Sequence, residues 1–362
     1  MTSSELESLR EQISAIDGEI MTLVGRRMSV AKEIGRTKRK CRLDIRDSAR
    51  EELVVRSAIA KAQTMGVDGE AATAIVEALI GGAVRVQSEE AERYLDGRKA
   101  LVVGAGRTGA WVARFLSNRG AAVSVFDPRA KLEGYDNLES PAEFLEDADL
   151  IVIASPLGTA QEDMRLILSS SPKGVVFDVC SVKTHIRDLL KEGVELGLKL
   201  TSVHPMFGPG IATPEGRNIL LTSCGCDAAD GVVRDLFERA GANVVDVALD
   251  GHDKLIAYIL GVPHLCAMAF GLVTMRSSFT VDRLADASGP SFSKLADLAS
   301  SISKESRRVY HDIQRFNPET ASMLRSMSTA IDELGAASSN DDPTAFAAIM
   351  DAEKEYFGRW SK

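Results

Sequence analysis

Apolar residues recur at three- and four-residue steps through the first forty positions: Leu6, Leu9, Ile13, Ile16, Ile20, Leu23, Val24, Val30 and Ile34. This is the period of an amphipathic helix, and it predicts one running from about Ser4 to Lys40. A helix of that length suggests packing against a partner chain. "RDSAREELVVRSAIAKAQTMG" and "DGEAATAIVEALIGGAVRVQSEEAERYL" predict a second and a third helix, and no proline interrupts residues 1–93. Three such helices enclose only a thin core, which again favours a dimer.

From Lys99 the period shortens. Strands are predicted at "KALVVGA", "AAVSVFD", "DLIVIAS", "GVVFDVC", "LKLTSVH", "NILLTS" and "NVVDVA", with helical stretches between them. Repeated strand–helix–strand units predict a parallel α/β sheet. Beyond about Asp250 the pattern is helical again, punctuated at "SGPSF", "FNPE" and "SSNDDPT". The apolar run "IAYILGVPHLCAMAFGLVTM" (256–275) contains Pro263, His264 and two glycines. A buried helix or a dimer interface suits it better than a bilayer.

Composition narrows the choice of partner. The 362 residues carry a net charge of −9, and no basic block is longer than "GRTKRK". Nucleic acid is therefore not the expected partner. The five cysteines are scattered, and "CGC" lacks the spacing of a zinc site, so reduced thiols and no metal are expected. The opening "MTSSELESLREQ" has neither the basic start nor the apolar core of a signal peptide, which points to a cytoplasmic protein.

"KALVVGAGRTGAWVARFLSNRGAAVSVFD" places Gly104, Gly106 and Gly109 in G-x-G-x-x-G spacing, after a strand and at the start of a helix. Asp127 stands at the end of the next strand. That context fits a Rossmann dinucleotide site. Gly104 permits the tight turn, Gly106 lets the backbone approach a pyrophosphate, and Gly109 lets helix and sheet pack closely. Asp127 would accept from ribose hydroxyls and favour NAD over NADP, a preference that Arg129 weakens. Arg107, Thr108, Ser155 and Pro156 complete the candidate cofactor positions. "DVCSVK" and "SVHPMFGPG" also follow strands, where open α/β sheets bind ligands. Ser181 and His204 would meet there, the imidazole taking a hydroxyl proton as hydride leaves carbon. Ser181 is equally readable as a helix cap before "VKTHIRDLL".

The first helix carries Arg10, Arg27 and Lys38, and the second carries Arg50. Arg27 and Lys38 are about 20° apart around the helix and share a face. Arg10 and Arg27 are about 25 Å apart along it and about 100° apart around it. If both serve one small dianion, Arg10 must come from a second, antiparallel chain.

"LREQISAIDGEIMTLVGRRMSVAKEIGRTK", "RDSARE" and "VRVQ" resemble the all-helical chorismate mutase domain. The glycine loop, "DVCSVK", "HPMFGPG", "HDKLIAYILGVPHLCAMAFGL" and "YHDIQRFN" resemble prephenate dehydrogenase. Their order over nearly the whole chain resembles the bifunctional chorismate mutase–prephenate dehydrogenase family of tyrosine biosynthesis. The resemblance implies an all-α three-helix domain (1–93), an α/β NAD-binding Rossmann domain (98–247) and an all-α substrate and dimerisation domain (248–362). It implies that Arg10 of a partner chain, with Arg27 and Arg50, holds the carboxylates of chorismate. Lys38 and Gln87 would flank the ether oxygen, and Glu51 and the region of Asp47 would bind the ring hydroxyl. His204 would deprotonate the ring hydroxyl of prephenate while Ser181 hydrogen-bonds it, with Lys183 and His264 close by. The implied assembly is a homodimer, with tyrosine as feedback inhibitor.

Three positions depart from the family pattern. A hydroxyl residue is expected where Ala83 stands, preceded by Gly81 and Gly82, which predicts a kinked or closely packed third helix. A carboxylate-binding arginine is expected where Ser301 stands; Arg308, two turns on along the same face, and Arg315 are the substitutes. Pro318 replaces an arginine after Asn317. Two alternatives stay open: arogenate as the oxidised substrate, and a first domain that only dimerises or regulates.

Overall fold

The computed structural model describes residues 3–40, 48–89, 93–339 and 341–360. The N-terminal unit is three helices, α1 (Ser3–Lys40), α2 (Ser48–Thr64) and α3 (Gly69–Glu89). α1 and α2 both pack on α3. α3 passes through Gly81 and Gly82 without interruption, with Ala83 buried. The fully enclosed apolar side chains of this unit are small: Ala31, Ala62, Ala72 and Ala83. Larger ones such as Val24, Met28, Leu79 and Ile80 are half-buried, and along α1 Leu6, Leu9, Ile13, Ile16, Ile20 and Leu23 are between 43% and 60% exposed.

The central unit comprises β1 (Lys99–Val103), α4 (Arg107–Asn118), β2 (Ala122–Phe126), β3 (Asp136–Asn137), α5 (Ala142–Leu145), β4 (Leu150–Ile153), α6 (Leu157–Ser169), β5 (Val175–Asp178), α7 (Arg187–Glu195), β6 (Leu200–Pro205), β7 (Asn218–Thr222), α8 (Asp227–Glu238) and β8 (Asn243–Asp246). Its strands form one sheet in the order β3-β2-β1-β4-β5-β6-β7-β8. Strand order reverses between β1 and β4, which opens a crevice at their carboxyl ends. The strands at the centre are buried on both faces, so they read as continuous apolar runs rather than alternating ones. One face packs Trp111, Phe115 and Phe237, with successive ring centroids 5.2 Å apart. The other packs Ile151, Met164, Ile167 and Leu190.

The strand–helix alternation predicts a parallel sheet, and the structure departs from this at one strand. β7 runs antiparallel to β6. The connection is the proline- and glycine-rich loop after Pro205, which contains no helix. Without a helical crossover the chain doubles back beside the strand it has just left.

The C-terminal unit begins with α9 (Leu249–Ile256), a π-helical turn (Ala257–Gly261) and α10 (Val262–Met275). It continues with α11 (Val281–Asp286), α12 (Pro290–Ser303), α13 (Arg307–Phe316), α14 (Thr320–Ser338) and α15 (Thr344–Phe357). Leu249–Met275 is long and apolar enough to cross a membrane by length and composition, with a mean hydropathy of 1.9. Only 22% of its most apolar window is buried in the chain, so the expectation of a helix buried within one subunit is not met. α10 packs on α12, and the π turn packs on α14.

Candidate active site

The glycine turn joins β1 to α4 at the crevice. Gly104 has φ +109°, and a Cβ on it would lie 2.8 Å from the carbonyl of Ala154. A Cβ on Gly109 would lie 1.8 Å from the Gly104 oxygen, whereas one on Gly106 would meet nothing within 4 Å. Two of the three glycines thus serve close packing, and the third leaves open space in front of the α4 N-terminus. Asp127 accepts from the backbone N–H groups of Ala105 at 2.8 Å and Arg129 at 2.8 Å. The oxygen facing Arg129 also accepts from the Ala130 N–H at 3.2 Å, so the other oxygen, Oδ2, is the one that keeps a lone pair for another donor.

A cavity of about 230 Å³ opens here, lined by Gly104, Asp127, Arg129, Ser155, Pro156 and Asp163 among others. Asp163 was not apparent from the sequence. Burial raises its pKa, and the charges of Asp127 and Glu162 push the same way against a hydrogen bond from Ser155. Three carboxylates around one cavity suit ribose hydroxyls and oppose a ribose phosphate. Arg107 is ion-paired with Glu305, joining the start of α4 to the C-terminal helices, and Thr108 is half-buried beside it.

His204 lies in β6, two strands beyond β4, and is 3% exposed. Its Nδ1 is 3.3 Å from Nε2 of His252 on α9. His252 Nδ1 is 2.7 Å from Asp253 Oδ1. Asp253 also accepts from the backbone N–H of Lys183 at 2.8 Å, and from the backbone N–H and hydroxyl of Thr184 at 2.7 and 2.6 Å. Asn317 Nδ2 donates to the Asp253 carbonyl at 2.8 Å and so ties α13 to α9. Burial pushes His204 well below the ordinary histidine range, helped by the neighbouring His252 and Lys183. Burial also lowers His252. Burial would raise Asp253, but the hydrogen bonds from His252, Thr184 and Lys183 hold it at about 2.

Lys183 is fully buried. Its Nζ donates to Asp178 Oδ1 at 2.7 Å and to the Val203 carbonyl at 2.8 Å, gripping the strand beside His204. Sealed in this way, it does not itself reach a substrate. Ser181 is half-buried at the end of β5. It is not a helix cap, because α7 starts at Arg187 with Ile186 in the capping position. The His264 ring lies 4.5 Å from that of Tyr310, and burial lowers its pKa.

The two arginine substitutes lie apart. Arg308 does not share a helix with Ser301, because α12 ends at Ser303 and α13 begins at Arg307. The same-face relation therefore fails. Arg308 Nε sits 3.5 Å from Asp312 Oδ2, and its guanidinium stands over Gly158 of α6. Arg315 lies over the Phe316 ring, in an apolar groove of about 770 Å³ along α10, α12 and α13.

In the N-terminal unit Arg27 Nη1 donates to the Leu79 carbonyl of α3 at 2.6 Å. Lys38 and Glu51 are half-buried, whereas Arg10 and Arg50 are exposed. Gln87 lies on α3, its side chain outside the described residues, as is the whole of Asp47.

His252, Asp253, Thr184 and Asn317 were not singled out from the sequence. A His-Asp pair opening a long apolar helix is the one signal that could have drawn attention, since such polar groups must find partners when buried.

Residues 9–88 match the family of type II chorismate mutases, and residues 114–223 match the nucleotide-binding domain of prephenate dehydrogenases. The T-protein of Enterobacter agglomerans is 22% identical over 99% of this chain and 95% of its own. The 4-amino-4-deoxyprephenate dehydrogenase of Streptomyces pristinaespiralis is 28% identical over 70% of this chain and 89% of its own. A probable arogenate/prephenate dehydrogenase of Methanocaldococcus jannaschii is 21% identical over 73% of this chain, which spans 61% of that protein's length. The structure of prephenate dehydrogenase from A. aeolicus in complex with hydroxyphenyl propionate and NAD+ shares the fold at a TM-score of 0.58 and 20% identity. That alignment covers 73% of this chain and 99% of that one.

Proposed function

This chain belongs to the bifunctional chorismate mutase–prephenate dehydrogenase family, and we propose on that footing that it carries out two consecutive steps toward tyrosine. The N-terminal helices rearrange chorismate to prephenate. The rest of the chain oxidises prephenate with NAD and releases carbon dioxide and 4-hydroxyphenylpyruvate. The observation that carries the second step is the buried, neutral imidazole of His204 near the carboxyl ends of the strands that form the cofactor crevice.

The residues at the glycine turn fit the cofactor. Gly106 would admit the pyrophosphate, Arg107 and Thr108 would flank it, and Asp127 with Asp163 would take the ribose hydroxyls. Ser155 and Pro156 would form the opposite wall. NAD, when bound, accepts the hydride from the hydroxyl-bearing ring carbon. His204 takes the hydroxyl proton as that carbon is oxidised, and Ser181 steadies the same oxygen. Loss of carbon dioxide sends its bonding pair into the ring, and the phenol oxygen takes the proton back. His204 therefore borrows a proton and releases none. Arg308 and Arg315 are the proposed carboxylate contacts, and His264 with Tyr310 would form a wall of the substrate space.

The rearrangement needs no acid, base or nucleophile. Arg27, Lys38, Arg50 and Glu51, with Gln87 and the region of Asp47, would hold the compact conformer and offset charge on the ether oxygen. Arg10 of a second chain would complete the site, making the working form a homodimer. Tyrosine would inhibit by competing at the dehydrogenase site. The absence of an arginine at Ser301 favours one second reading, arogenate in place of prephenate.

The test follows NADH from NAD with chorismate, prephenate or arogenate. NADH is expected from chorismate and prephenate. His204→Ala is expected to lower prephenate oxidation by roughly 10²–10⁴-fold and to leave chorismate consumption intact. NADH from arogenate alone would move the assignment to the second reading.

A further inference from the structure

With both imidazoles neutral, the hydrogen-bond chain behind His204 has one consistent assignment of protons. Asp253 is bound by two backbone N–H groups and a hydroxyl, so its oxygens act as acceptors. His252 Nδ1, 2.7 Å from Oδ1, must then carry a proton. A neutral His252 has a bare Nε2, which can only accept. His204 Nδ1, 3.3 Å away, must therefore donate to it. The remaining atom, His204 Nε2, is left with its lone pair, since the ring's hydrogen bond within the described residues is made through Nδ1.

We propose that His252 is a positioning residue of the dehydrogenase: held by Asp253, it fixes His204 in the tautomer whose Nε2 is the base, and it stabilises the Nδ1–H when Nε2 takes the substrate proton. This role rests on the reaction proposed above. The charged groups around the pair are Asp253 on α9 and the Lys183–Asp178 ion pair between β5 and β6. Lys183 and Asp178 largely offset each other, which leaves Asp253 as the charge that orients the chain. The layout serves a base that must gain and lose one proton per turnover without changing tautomer.

The geometry also explains why α9 meets the sheet here. Asp253 is clamped by the backbone of Lys183 and Thr184, directly after β5. The same helix is held from behind by Asn317. The backbone and carboxylate that hold the imidazole of His252 are thus both fixed.

Two measurements test the proposal on the full-length chain. The first needs no variant: histidine 15N spectra should show His204 protonated at Nδ1 and bare at Nε2 near neutral pH, assigned by the signals lost in His204→Ala. The second compares His252→Gln, whose amide oxygen can still accept from Nδ1, with His252→Leu, which cannot. His252→Leu should lower kcat about 100-fold or more, with KM for prephenate and NAD within about threefold, and should mix the His204 tautomers. His252→Gln should recover at least tenfold over the leucine variant. A thermal melt of the same preparations, with the KM values for prephenate and NAD, reports whether the dehydrogenase part of each variant is folded. A wild-type spectrum with His204 protonated at Nε2, or a His252→Leu enzyme with unchanged kcat, overturns the proposal. If the wild-type chain oxidises no prephenate at all, the assigned reaction fails, and the spectrum still decides the tautomer.

Discussion

Four of the five histidines, His185, His204, His252 and His264, are held below the ordinary value of 6.5, in each case chiefly by burial. Each is neutral in the folded chain at neutral pH and binds a proton more readily once unfolded. A folded pKa below the unfolded one means that stability is lost as pH falls, beginning near 6.5. Asp253 adds to the loss at lower pH. Its folded value of about 2 against an ordinary 3.8 is worth about 2 kcal/mol, present above pH 4 and lost toward pH 2. Thermal melts from pH 8 to pH 4 should therefore show Tm falling from about pH 6.5 downward. A flat Tm across pH 6.5 to 5 would mean the histidines are not buried as described. Activity follows the opposite convenience: a depressed His204 pKa keeps the base unprotonated below the usual histidine range. The acid limb of kcat/KM for prephenate should lie below pH 6.5.

At the scale of the element, the turn from β1 to α4 separates packing from binding. Gly109→Ala drives a Cβ into the Gly104 carbonyl and should cost about 1–3 kcal/mol or more. Gly106→Ala meets open space at an ordinary φ of −71°, so the urea midpoint should hold while NAD binding weakens. Equal NAD affinity in Gly106→Ala would show that the pyrophosphate does not approach there. This turn was legible in the sequence because its chemistry is local: a strand, a glycine spacing and an acid about 20 residues on. α1 was legible for a similar reason, since one period runs through it unbroken. The antiparallel β7 was hidden because direction depends on whether the crossover contains a helix. The break between α12 and α13 was hidden because "SKESRR" has no proline or glycine to mark it, and it separated Ser301 from Arg308. The relay behind His204 was hidden for a deeper reason. His204 and His252 are 48 residues apart, and only the docking of α9 on the sheet brings them together.

At the scale of the whole molecule, the apolar face of α1 is a stripe that a lone chain leaves uncovered. Exposed patches of this kind mark interfaces, and the positions of Arg10 and Arg27 ask for an antiparallel partner on the same helix. Arg10→Ala and Arg27→Ala chains should each fail to consume chorismate. Mixed and allowed to re-pair, they should regain activity, because a hybrid pair holds one site with both arginines intact. With equal amounts and random pairing, half the pairs are hybrids and one site in two works, giving about a quarter of the wild-type rate. No recovery on mixing would place both arginines in the same chain's site. Prephenate oxidation should be unaffected throughout.

Among the described residues, the apolar side chains that the N-terminal unit encloses completely are alanines. In the homodimer proposed above, such a unit would draw its stability from its neighbour, and its folded fraction would depend on how often chains meet. Below the pairing constant the number of pairs scales with the square of chain concentration. Halving expression would then quarter the rearrangement, and entry into the sequence of reactions would respond to gene dosage more steeply than the amount of protein does.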